Sequence, residues 1–271
     1  MQGRVSKRLA LGIVAFALLS VGAIAVLMPR SGENIAASAS ANAKNALRIL
    51  PLGDSITQAD ANHLGYRYRL WIKLIDAGVN FDFVGSSDDN YFRNPEWPPY
   101  KGRTFDRDHE GHWGWCADEI LNGPAGDEKN KLLVWLQGYT PDIVLMHLGS
   151  NDVFHFQDAA ETAGELAEII NVLRADNNRV IILLAKIIPT KSLGANEGIE
   201  ELNTQIEKMA GKMTADQSPV VIVDQYAGFK PEADIYDSIH PNQSGEEKMA
   251  AKWFEAIRKC TEKSWNTNEH E

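Results

Sequence analysis

The chain has 271 residues, of which 44% are hydrophobic and 24% charged, enough apolar content for one substantial core. Two cysteines exclude a disulfide scaffold, and 21 glycines without a fixed period exclude a collagen-like chain. A formal charge of -10 repels a phosphate backbone, so nucleic acid is not an expected partner.

Arg4, Lys7 and Arg8 precede a run, residues 9–28, that has no charged side chain and only Ser20 as a polar interruption. A cleaved export signal carries an apolar region of ~7–15 residues and a membrane-spanning helix ~20, so the length points to an anchor. Ala37-Ser38-Ala39, Ala39-Ser40-Ala41 and Ala41-Asn42-Ala43 nevertheless offer small-residue cleavage sites. Residues 1–43 are therefore read as a signal peptide or a signal-anchor plus linker, with both options open. The basic flank keeps the N-terminus cytoplasmic in either case, so residues 44–271 are expected to be secreted, or anchored outside the membrane. That remainder is the more acidic part, because 1–43 holds Arg4, Lys7, Arg8 and Arg30 against Glu33 alone.

From Leu47 onward short apolar runs alternate with amphipathic stretches. In chain order the pattern predicts a strand at 48–52, a helix at 66–76 and a strand at 81–84. A short helix beginning near Trp115 follows, then a helix at 131–137, a strand at 143–148 and a helix at 159–175. The series closes with a strand at 180–185, a helix at 199–214, a strand at 220–223 and a helix at 244–259. Several strands are apolar on both faces, which implies a parallel sheet reached by crossover helices. The expected fold is α/β: a three-layer αβα sandwich around a flavodoxin-like sheet of about five strands. Residues 85–110 have no period and are long for a connection, which suits a functional loop.

Ligands of open parallel sheets bind beyond the carboxyl ends of the strands. The first strand runs into Gly53-Asp54-Ser55-Ile56-Thr57, a tight turn that can present a serine hydroxyl, although alone it could be a helix N-cap. The third runs into Gly149-Ser150-Asn151-Asp152, where the asparagine amide can donate to a charged oxygen. After the last strand, Asp237-Ser238-Ile239-His240 spaces a carboxylate three residues before an imidazole whose tautomer it can fix. Between them, in His109-Glu110-Gly111-His112-Trp113-Gly114-Trp115-Cys116-Ala117-Asp118, Gly114 opens a helix and bares a backbone N–H to the same point. Together these supply the nucleophile, base, base-orienter and charge stabiliser that acyl transfer needs.

The four blocks resemble the SGNH (GDSL-type) hydrolase superfamily across nearly all of residues 47–260. Within it the chain looks most like carbohydrate esterases of the acetylxylan esterase type. The stretches carrying that likeness are Leu50-Pro51-Leu52-Gly53-Asp54-Ser55-Ile56-Thr57, Asp108-His109-Glu110-Gly111-His112, and His240-Pro241-Asn242 with Gly245. Two residues depart from the pattern: Ser150 stands where Thr is usual, and Trp113 where a small residue is common. The resemblance implies a serine esterase with Ser55 as nucleophile, His240 as base and Asp237 orienting it. The oxyanion would be held by the N–H groups of Ser55 and Gly114 and the amide of Asn151. No cofactor is implied.

Asp106, Asp108, His109, Glu110 and His112 hold metal-ligand chemistry, but His-Glu-x-His falls one residue short of the helical zinc spacing. They are read as support for the second block, and no metal is expected. Asp54 and Asp152 read as turn formers, and Trp71, Trp135 and Trp253 as core. Cys116 and Cys260 fall on helices of opposite layers, which predicts two unpaired thiols. Asn242-Gln243-Ser244 is a glycosylation sequon in form, too close to His240 for a glycan. The aromatic residues of 91–115 suit stacking on the sugar faces of an acylated carbohydrate. A lipid esterase or lysophospholipase, or a non-catalytic glycan-binding module, are the alternative readings, and oligomeric state is unspecified.

Overall fold

Runs that are apolar at every position form the middle of the sheet, because strands covered on both faces have no solvent side. The structure, a computed structural model, describes residues 46–267, so the segment read as signal or anchor lies outside the described residues. The strands β1 (Leu47–Gly53), β2 (Phe81–Phe83), β4 (Ile143–His147), β5 (Ile181–Lys186) and β6 (Val220–Asp224) lie in the order β2-β1-β4-β5-β6, all parallel. This is the expected order. A two-residue strand, β3 (Glu110–Gly111), adds to the outer edge of β1 where β2 stops, pairing Leu52 with Glu110 and Gly53 with Gly111. Two residues are too few to show alternation in a sequence, yet they carry the second block to the end of β1.

Alternate side chains divide the core into two layers. Leu50, Leu52, Val144, Met146, Ile182 and Leu184 face α3 (Ala117–Asn122), α4 (Leu132–Trp135), α6 (Ala159–Asp176) and α7 (Leu193–Met213). Ile49, Ile143, Leu145, Leu183 and Ala185 face α2 (Gly65–Asp76) and α9 (Gln243–Thr267). Trp135 is buried in the first layer, Trp71 and Trp253 in the second. Helix α7 starts six residues before the expected 199, since Gly194, Asn196 and Gly198 hide its first turns and Ile199 is its first buried residue. Cys116 caps α3 while Cys260 packs in the other layer, and neither is in a disulfide. Among the described residues no helix is long and apolar enough to cross a membrane.

Two buried polar groups tie the first turn beyond β1 to the rest. Arg67 is 1% exposed and donates to the carbonyls of Thr57 (2.8 Å), Gln58 (3.0 Å) and Arg107 (2.6 Å) and to Asn90 Oδ1 (2.9 Å). It thereby satisfies the free carbonyls at the end of α1 (Ser55–Gln58) and pins residues 85–109 to that helix. Burial pulls the guanidinium down to about 10. Asp54 caps α1 by accepting from the Ile56 N–H at 2.9 Å. Burial, with Asp152 nearby, pushes its carboxyl up to about 7.

Replacing Arg67 by Met would strand three carbonyls in the interior, and at ~1–3 kcal/mol for each the expected loss exceeds about 3 kcal/mol in urea unfolding. A loss below about 1 kcal/mol would contradict this account. For Asp54 the folded state keeps a proton that the unfolded chain releases near ~3.9, so the folded state binds more protons between about pH 4 and pH 7. Stability therefore falls as pH rises through that window and levels off above it. The Asp54→Asn variant should show a shallower fall in unfolding free energy across the window, and an unchanged slope would contradict the assignment.

Candidate active site

Gly53 ends β1 so close to β4 that an added Cβ would meet the His147 carbonyl oxygen at 2.2 Å and Thr57 Oγ1 at 2.5 Å. Only glycine fits there. Ser55, the first residue of α1, is 5% exposed, and its Oγ lies 2.8 Å from His240 Nε2. His240 Nδ1 pairs with Asp237 Oδ2 at 2.7 Å, and Asp237 Oδ1 accepts the backbone N–H groups of Ile239 and His240, each at 2.8 Å. Partial burial would raise the Asp237 carboxyl, but these hydrogen bonds outweigh it and hold the group below the usual range. An ionised Asp237 keeps the proton on Nδ1 and leaves Nε2 as an acceptor for the Ser55 hydroxyl. The structure thus brings three of the expected residues into one hydrogen-bonded chain.

The turn carrying Asp237 and His240 is clamped at both ends. Ile235 bridges Pro241, and Tyr236 donates its N–H to the His240 carbonyl at 3.1 Å. Asn242 caps α9, accepting from Ser244 (2.9 Å) and Gly245 (3.3 Å) and donating to the Ala233 carbonyl (2.9 Å). The sequon asparagine is engaged at both of its polar atoms, so a glycan there would break the cap. Asp234 of α8 (Pro231–Asp234) is buried and takes hydrogen bonds from Lys230 N–H, Ser244 and Lys248.

Asn151 stands in the first turn of α5 (Ser150–Phe154), which follows β4 as α1 follows β1. Its Nδ2 donates to the Trp115 carbonyl at 2.8 Å, which orients the amide and leaves it a second N–H. Gly114 lies three residues before α3 rather than opening it. Its φ of +82° is the left-handed region, and no atom lies within 4 Å of where a Cβ would sit. Backbone conformation is thus what demands glycine there, on ground that protein atoms leave open.

The carboxylates and imidazoles of 106–112 do not converge on a point. Asp106 accepts the Phe83 N–H at 2.7 Å. His109 is buried, accepts the Gly111 N–H at 2.8 Å, and is held well below its ordinary value by desolvation. Glu110 is buried between Ser86 N–H (2.5 Å), the Tyr139 hydroxyl (2.6 Å) and His112 Nε2 (3.0 Å). These residues brace β3, and His112 N–H reaches the Gly53 carbonyl at 3.0 Å. Among the described residues the one three-ligand grouping is Cys116, Asp118 and Glu119, where Glu119 already accepts from the Cys116 N–H as a capping residue.

Most of the aromatic residues of 91–115 fall into two sets. Phe105 packs on Tyr68 and Trp71, Trp97 packs on Phe105, and Tyr100 bonds Asp76 at the end of α2, so these serve the fold. Trp113 stacks on His240 at 4.5 Å and on Tyr91 at 4.3 Å, which puts these two at the site. Sequence reasoning missed Tyr236, whose ring runs parallel to His240 at 5.9 Å, and Arg67. Nothing but adjacency to Asp237 signals the first, and nothing local in the sequence marks the second.

Residues 52–248 match the GDSL-like lipase/acylhydrolase family. A multidomain esterase of Ruminococcus flavefaciens is 30% identical over 231 residues, which are 80% of this chain and 29% of that protein. The chain thus spans less than a third of the length of this curated relative. Among solved structures, a family 3 carbohydrate esterase from Talaromyces cellulolyticus is 34% identical with a TM-score of 0.67, over 80% of this chain and 99% of that one. An acetyl esterase mutant with acetate ion is 33% identical with a TM-score of 0.67, over the same shares of the two chains, 80% and 99%. With the family's match covering most of the described residues, and the sheet and its carboxyl-end turns arranged as above, this chain belongs to the GDSL-like lipase/acylhydrolase family, the SGNH carboxylic ester hydrolases.

Proposed function

We propose that this protein is a serine esterase that removes small acyl groups, acetyl above all, from an acylated carbohydrate. The observation that carries the reading is the chain from Ser55 Oγ through His240 to Asp237, with links of 2.8 Å and 2.7 Å. His240 Nε2 takes the hydroxyl proton as Ser55 Oγ attacks the acyl carbonyl, and Asp237 stabilises the imidazolium. The N–H groups of Ser55 and Gly114 and the free N–H of Asn151 receive the tetrahedral oxyanion. The imidazolium then protonates the departing alcohol, and a water deprotonated by the same nitrogen hydrolyses the acyl-enzyme and frees Ser55.

The acetyl and carbohydrate parts of the reading rest on the relatives, named an acetyl esterase and a family 3 carbohydrate esterase. Trp113, packed flat on His240, adds a rigid wall beside the nucleophile that suits a short acyl group. A non-catalytic glycan-binding module would have no use for a serine hydroxyl aligned on an imidazole. The basic flank and apolar run of residues 4–28 support action outside the cytoplasm.

Residues 44–271 should hydrolyse p-nitrophenyl acetate far faster than the butyrate and octanoate esters, and a preference for octanoate would move the reading to lipids. Ser55→Ala should abolish turnover, whereas Asn151→Ala should lose about 2.7–4 kcal/mol of transition-state stabilisation, read from kcat. Asp237→Ala should retain more activity than Ser55→Ala; an equally dead Asp237 variant would contradict its orienting role. N-terminal sequencing of the mature protein should find a start near Lys44 for a secreted enzyme, or an intact Met1 in the membrane fraction for an anchored one.

A further inference from the structure

The Asp-x-x-His spacing of Asp237 and His240 occurs a second time, at Asp60 and His63, in the loop that follows α1. The second copy makes the same carboxylate–imidazole pair as the first. Asp60 Oδ1 accepts the Asn62 N–H at 2.8 Å and pairs with His63 Nδ1 at 2.7 Å. Its other oxygen accepts the Tyr236 hydroxyl at 2.8 Å. Tyr236 in turn stacks on His63 with ring centroids 3.9 Å apart and 11° between planes, and runs parallel to His240 on the catalytic turn. Ser55, Ala59, Asp60, His63, Tyr236 and His240 all line one small cleft, with Trp113 at its wall.

The imidazole of His63 is not needed to hold its own loop. Asn90 Nδ2 already donates to the carbonyls of Asp60 (2.9 Å) and His63 (3.1 Å), and Asn90 is anchored by Arg67. With Nδ1 committed to Asp60, His63 Nε2 carries the lone pair, and among the described residues no group donates to it. The side chain is 25% exposed and lines the same cleft as His240, with Tyr236 in contact with both rings.

We infer that Asp60 and His63 form a second dyad that recognises the alcohol half of the ester, His63 Nε2 accepting a hydrogen bond from a hydroxyl near the departing oxygen. The inference rests on the esterase reading and adds to it the group that prefers a polyhydroxylated leaving group over a bare one. A site built around a hydroxyl discriminates against esters that lack it, because the acceptor is then desolvated without a partner.

The test compares kcat/KM for an acetylated xylo-oligosaccharide with that for p-nitrophenyl acetate, whose leaving group has no further hydroxyl, in the parent and in His63→Phe and His63→Ala. The phenylalanine keeps a flat ring against Tyr236 and removes the acceptor together with the N–H that Asp60 receives. The ratio of sugar ester to aryl ester should fall about five- to tenfold in both variants. An unchanged ratio, whether both activities drop together or neither does, would overturn the inference and leave His63 as a prop for Tyr236. A parent active on the aryl ester but inert to the sugar ester would also overturn it while sparing the serine chemistry. A parent inactive on both would remove the esterase reading itself and the inference with it.

Discussion

The parallel pairing of β1 with β4 is the constraint on which the site depends. Gly53 lies in register with His147, and the backbones pass so closely that no side chain larger than hydrogen fits between them. Each strand then releases a short helix at the same edge, α1 carrying Ser55 and α5 carrying Asn151. Two groups from distant parts of the chain are thereby set side by side by backbone hydrogen bonds alone. The loop after β6 needs only to swing its imidazole over that edge, and clamps at Ile235–Pro241 and Asn242 hold it there.

Around this edge the protein buries a set of polar groups, several of which are held by internal hydrogen bonds. Arg67 bonds three carbonyls and Asn90 without a carboxylate on its guanidinium, so it serves as a hydrogen-bond hub rather than as half of an ion pair. Glu110 receives three donors. His147, buried and held down to about 4 by desolvation, stays neutral and accepts the Ile188 N–H at 3.2 Å, which ties the end of β4 to the segment after β5. Such groups are costly to desolvate and gain only when every partner is in place, which favours a single rigid arrangement of the loops over near alternatives. Rigidity at this edge suits the acyl transfer proposed for it, because oxyanion donors act only where they are already aimed.

The same economy governs the imidazole of His240. Its ring has Trp113 and Tyr236 as parallel neighbours, its Nδ1 is held by Asp237, and its Nε2 faces Ser55. Stacking and hydrogen bonding leave one orientation open to it. Tyr236 belongs at once to this shell and, through Asp60, to the loop behind α1, so the turn of Asp237 and His240 is joined to the neighbouring cleft.

The sequence by itself determined the fold class, the strand order and the residues from which a site could be made. Doubly apolar runs such as 143–147 admit only a parallel, covered sheet, and Gly-Asp-Ser, Gly-Ser-Asn-Asp and Asp-x-x-His are local patterns whose chemistry is written in their spacing. Local patterns ended there. The two-residue β3, the start of α7 at Leu193, the division of the 91–115 aromatics between core and site, and the hub at Arg67 each depend on partners distant along the chain. Whether Asp60-Ala61-Asn62-His63 is a surface turn or a neighbour of Ser55 likewise depended on where β6 delivers Tyr236. Spacing along the chain can state which groups are able to react, but only the packing of the layers decides which of them meet, since long-range contacts are set by the whole core.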